Sequence, residues 1–90
     1  MGELICPEVH RNGTSGETLL QGYCDAGAFV RQSIEELQKS APNMRDYYLN
    51  PEGAARFKIA EQQHKRRIEG LRSVMDELAQ LAQMVCDQMD

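Results

Sequence analysis

The feature that most constrains this chain is a seam running through residues 53–89. Ala54, Phe57, Glu61, His64, Ile68, Leu71, Met75, Leu78, Ala82, Val85 and Met89 follow one another at alternating intervals of 3 and 4. A period of 3.5 residues is the mark of a helix packed lengthwise on a partner. Asn50-Pro51-Glu52 suits its start: Asn caps, Pro fits the first helical position, and a carboxylate complements the positive end of the helix. The reading is a helix over 51–89, a rod of about 55 Å at ~1.5 Å per residue.

A second seam, Leu20, Tyr23, Gly27, Val30, Ile34, Leu37 and Ala41, has the same spacing. It predicts a first helix over 15–41. Asn12-Gly13 is turn chemistry ahead of it, and Thr14 with Glu17 has the spacing of a capping box. Pro42 and Asn43 stop it. Gly27 on the seam suggests close approach of a neighbouring backbone, since glycine costs about 1 kcal/mol in a helix interior. Residues 42–50 form the turn, and residues 1–14 an arm anchored by Leu4, Ile5 and Val9.

The predicted fold class is therefore all-α, an antiparallel hairpin of two long helices with a short N-terminal arm, in a single domain over 1–90. A tight turn pairs Leu37 with Phe57, Val30 with His64, Tyr23 with Leu71 and Leu20 with Met75, and brings Arg31 near Lys65. It leaves Leu78, Leu81, Ala82, Val85 and Met89 beyond the end of the first helix. A stripe of that kind forfeits a few kcal/mol if left wet, so the reading is a homo-oligomeric helical bundle, dimer or higher. A chain of 90 residues buries only about 60–65% of its unfolded surface, which points the same way.

Composition narrows the function classes. The net charge of −4 argues against binding long nucleic acid, and no helix-turn-helix pattern supports a DNA-binding regulator. No apolar run approaches the roughly 18 residues of a membrane span, and the first residues lack the basic region of a secretion signal. Cys6, Cys24 and Cys86 have no paired spacing, so the reading is reduced thiols.

Two clusters are candidate ligand-binding sites. His10, Arg11, Asn12 and Thr14 lie at a helix N-terminus, where free N–H groups and the helix dipole favour an anion; the plainer reading is a capped helix start, since the lysine and strand of a P-loop are missing. Arg45, Tyr47 and Tyr48 sit in the turn, where a ring can stack on a base and a guanidinium can pair with phosphate; the plainer reading has a tyrosine closing the bundle end and Arg45 paired with Asp46. These clusters lie at opposite ends of the first helix and meet only between chains, in a two-fold antiparallel dimer. Lys58, Lys65 and Arg72, seven residues apart, form with Arg31 a secondary anion stripe; the plainer reading is a solvated face. Glu61 and His64 on the seam read as a buried polar pair that sets register. A di-metal site would need more carboxylates, and Cys6, His10 and Cys86 lack zinc-ligand spacing. No metal, cofactor or catalytic residue is assigned, because neither His10 nor His64 stands beside an activated nucleophile.

The combination His10-x-Asn12-Gly13-Thr14-Ser15, a helix, then Ala41-Pro42-Asn43-x-Arg45-Asp46-Tyr47-Tyr48 and a second long helix resembles small uncharacterised proteins of phages and prophages of Gram-negative bacteria. The likeness spans roughly residues 8–85. This chain departs from the pattern at Met44, where glycine is expected before the arginine. The resemblance implies a bacterial cytoplasm and a phage accessory role, and lends no catalytic residues. Such factors block host defence by binding a defence protein, or sequester the nucleotide signals that defence systems make. The expectation is an oligomeric sponge for an anionic, nucleotide-like small molecule. The alternative is a helical interaction factor that docks on a host or phage protein through Leu78, Leu81, Met84 and Val85.

Overall fold

A computed structural model describes residues 2–89. Two long helices carry the fold: α1, Gly16–Lys39, and α2, Gly53–Gln88, joined through a short 3-10 turn at Met44–Asp46. The helices pack on each other, and no strand occurs among the described residues. The predicted all-α hairpin is thus present. It is a rod, with principal extents of 64 × 25 × 18 Å and a radius of gyration of 19.0 Å, against about 12 Å for a compact chain of this length.

The ends of the helices differ from the sequence reading. Ser15 caps α1: its hydroxyl accepts the Thr18 N–H at 3.1 Å and lies 2.8 Å from the Thr18 hydroxyl. This Ser15–Thr18 pair replaces the expected Thr14–Glu17 box. At the other end the Ser40 N–H bonds to the Leu37 carbonyl at 2.9 Å, closing α1 before Pro42 is reached. Pro51 belongs to a turn rather than to α2. The Asn50 side chain accepts the Glu52 N–H at 2.8 Å, its carbonyl accepts the Gly53 N–H at 2.8 Å, and α2 begins at Gly53.

The larger correction is the register. One groove is lined by Tyr23, Gly27 and Arg31 of α1 and by Ala82, Leu78 and Met75 of α2. Gly16 lies under the Met89 side chain, and Gln38 lines a cleft with Ile68. Tyr23 therefore stands level with Ala82, not Leu71. The helices have slid by about eleven residues, three turns, from the tight-turn pairing. The C-terminal stripe expected to overhang is consequently covered: Val85 is fully buried, and Leu78, Leu81 and Ala82 are half-buried. The overhang is at the start of α2, where the connector folds back along the helix and Tyr47 packs on Phe57, ring centroids 5.8 Å apart.

The slide also corrects individual residues. Glu61 is exposed, Ala60 takes the half-buried position beside it, and Ala54 and Ala41 lie outside the core. Gly27 admits no backbone: nothing stands within 4 Å of where its Cβ would be. Arg31 shares its groove with Met75 and not with Lys65. Among the described residues Ile34 and Val85 alone are buried large apolar side chains.

Candidate functional site

The arm end is built on an amide. The Gln88 side chain accepts the Val9 N–H at 2.8 Å and donates to the Pro7 carbonyl at 2.9 Å, pairing with the arm as a neighbouring strand would. The same NH2 group lies 3.6 Å from the Cys6 sulfur. Past this clamp the Gly13 N–H returns to the His10 carbonyl at 3.2 Å. The His10 ring lies over Gly13, where an added Cβ would stand 2.7 Å from Nε2. Arg11, Asn12 and Thr14 are exposed on this turn. Glu17 already supplies negative charge to the first turn of α1, which weakens the pull of the helix end on an outside anion.

At the connector end the Asn43 side chain accepts the Arg45 N–H at 3.0 Å and sets the 3-10 turn. Tyr47 is committed to Phe57. Tyr48, by contrast, is 64% exposed and Leu49 86% exposed. Arg45 and Asp46 are both exposed and form no ion pair. The arm and connector clusters stand at opposite ends of α1, about 36 Å apart at 1.5 Å per residue.

A third place draws the stripe residues together. Where α1 ends, a cleft of about 260 Å³ opens between its last turn and α2. One wall is Gln38, Ala41 and Pro42; the other is Glu61, His64, Lys65, Ile68, Glu69 and Arg72. His64 is half-buried, and its Nε2 is shielded from solvent without a hydrogen-bond partner. Glu61 does not bond it, so the expected Glu61–His64 register pair does not form. A shielded nitrogen without a partner costs free energy, and it can meet a ligand only if the ring turns it toward the cleft. The sole ion pair among the described residues is Lys39–Glu36, at 3.0 Å. Lys65 and Arg72 in the cleft, and Lys58 and Arg31 outside it, therefore have no carboxylate within salt-bridge distance among the described residues.

Sequence reasoning had Lys65, Arg72 and His64 but not the cleft, because the tight-turn register put His64 opposite Val30. Gln38 and Pro42 became visible as wall residues only with the slide. Among the described residues no group of three or more His, Cys, Asp or Glu is placed to hold a metal ion, and the three cysteines are free. No helix is long and apolar enough to cross a membrane. Compared with known proteins, the chain matches no family model, no curated protein and no solved structure.

Proposed function

We propose that this chain is a phage-derived accessory protein that works as a homo-oligomer in a bacterial cytoplasm and sequesters an anionic, nucleotide-like small molecule. The observation that carries the reading is the His64 cleft. It combines two cations without salt-bridge partners among the described residues, the His64 ring, and apolar Ala41 and Pro42 on one wall facing Ile68 on the other. A bare phosphate would meet Lys65 and Arg72 but also the carboxylates of Glu61 and Glu69. A nucleotide satisfies both kinds of group: its phosphate pairs with the cations, and its ribose hydroxyls or base amines donate to the carboxylates. The base fits between the apolar side chains of the two walls. Tyr48, free of internal contacts of the kind that hold Tyr47, offers a second stacking surface beside Arg45. The reading assigns no reaction.

Calorimetric titration with inorganic phosphate, mononucleotides and cyclic dinucleotides tests it. A nucleotide should bind the wild type, and His64→Ala and Arg72→Ala should each weaken binding at least about tenfold, the loss of one charge-assisted hydrogen bond, with sedimentation unchanged. No binding by any of these nucleotides overturns the sponge. A second reading, a factor that docks on a host or phage protein, is favoured by the exposure of Tyr48 and Leu49 at the connector tip. In that case Leu49→Glu abolishes the biological effect while nucleotide titrations stay flat.

A further inference from the structure

The groove between α1 and α2 is a second hollow, and it shares no residue with the His64 cleft. It holds about 330 Å³, within the roughly 300–1,000 Å³ of small-molecule pockets. Gly27, Leu78 and Ala82 are half-buried and form its floor. The hollow is there because Gly27 has no side chain: nothing stands within 4 Å of where its Cβ would be. Ala28 and Ala79 are exposed on the rim and too short to close over it.

The two ends of the groove differ. Tyr23 lies at one, level with Ala82, and Arg31 lies at the other, beside Met75. They stand about 12 Å apart along α1, at ~1.5 Å per residue. Arg31 is the one charged residue in the lining. Glu35, a turn further along α1, and Asp76, next to Met75, neither line the groove nor pair with the guanidinium. The His64 cleft is unlike it, with the carboxylates of Glu61 and Glu69 in its wall.

We infer that this groove binds an aliphatic monocarboxylate of medium chain length, the carboxylate on Arg31 and the hydrocarbon laid over Gly27 toward Tyr23. Charge selects the head group. One guanidinium presents a fork of donors that matches one carboxylate. A phosphate monoester carries close to two negative charges, and the groove holds no second cation. The lining selects the body. Besides Arg31 its polar side chains are the Tyr23 phenol and the Cys24 thiol, a weak donor. A sugar or a base would leave most of its donors and acceptors unpaired there, whereas a chain of methylenes covers the half-exposed surface of Met75, Leu78 and Ala82. This site is independent of the nucleotide reading.

Calorimetric titration with decanoate, below the concentration at which it aggregates, tests the site. Decanoate should bind saturably, one per chain. Octanoate should bind at least about tenfold more weakly, since each lost methylene costs about fourfold. Arg31→Gln should weaken decanoate about tenfold, the loss of one charge-assisted pair. Gly27→Leu, which puts a side chain into the groove, should abolish binding and keep its helicity by circular dichroism. Methyl NMR of the wild type gives a reading that needs no variant: decanoate should shift the Met75 and Leu78 signals and leave Met44, at the connector, unmoved. Absence of saturable binding overturns the inference. Binding that survives Gly27→Leu, or shifts that fall on Met44 and not on Met75, overturns it too, because the acid then lies elsewhere. If decanoate does not bind and Gly27→Leu changes the sedimentation of the ligand-free protein, the groove is an interface between copies and the carboxylate site falls.

Discussion

Single residues decide more here than in a protein with a thick core, and two glycines show it with opposite signs. At Gly53 the backbone of Tyr47 and Tyr48 passes directly over the first turn of α2, and a Cβ would collide with the Tyr47 carbonyl. That carbonyl belongs to the main chain and cannot swing aside like a side chain. Gly53→Ala should therefore cost about 1–3 kcal/mol, the usual range for overpacking, measured as a lowered urea midpoint with unchanged m. Gly27 has open space around its Cβ position, so only helix propensity acts. Gly27→Ala should stabilise by up to about 1 kcal/mol in the same titration. If Gly27→Ala destabilised instead, a neighbour would have to approach α1 there. Val85, the one fully buried large side chain among the described residues, is the third sensitive point. Val85→Ala should cost about 1–2.5 kcal/mol through lost burial and the cavity left behind.

At the scale of elements, the existence and type of both helices were legible, and their mutual register was not. The reason lies in the period. A slide of three turns nearly matches three half-heptads, so each seam residue still meets a seam residue and the spacing alone does not choose. What chooses is where the apolar surface lies. The first half of α2 carries Lys58, Glu61, Gln62, Gln63, Lys65, Arg66 and Arg67, whereas the second half carries Leu71, Met75, Leu78, Leu81, Ala82 and Val85. Covering the second half with α1 buries more apolar area, and the connector is long enough to allow it. The same slide explains what was hidden of the cleft: its residues lie level with the end of α1 only in the slid register. The arm clamp was equally invisible, because nothing in the spacing ties Gln88 to Pro7 and Val9. It is testable by hydrogen exchange. Gln88→Ala should speed exchange of the Val9 amide, whose bonded acceptor is the Gln88 side-chain oxygen, and leave amides in the middle of α1 unchanged. Equal exchange in the two proteins would mean that the amide pair does not hold the arm.

For the molecule as a whole, the facts to reconcile are a 64 Å rod, two buried large apolar side chains among the described residues and a chain of ordinary hydrophobic content, 41%. The apolar residues are present but half-covered, so an isolated subunit leaves much of their burial energy unused. Domains survive on a margin of about 5–15 kcal/mol, and the proposed homo-oligomer would supply part of it to one built this thinly. The proposed assembly makes stability depend on concentration, because a partner that binds only the folded chain stabilises it by mass action. The thermal midpoint of the wild type should rise steadily with protein concentration, each tenfold increase adding about 1.4 kcal/mol per mole of dimer. A nucleotide bound in the His64 cleft should raise the midpoint at every protein concentration, because the cleft lies within one chain. A wild-type midpoint that did not move with concentration would show that α1 and α2 suffice to hold the rod.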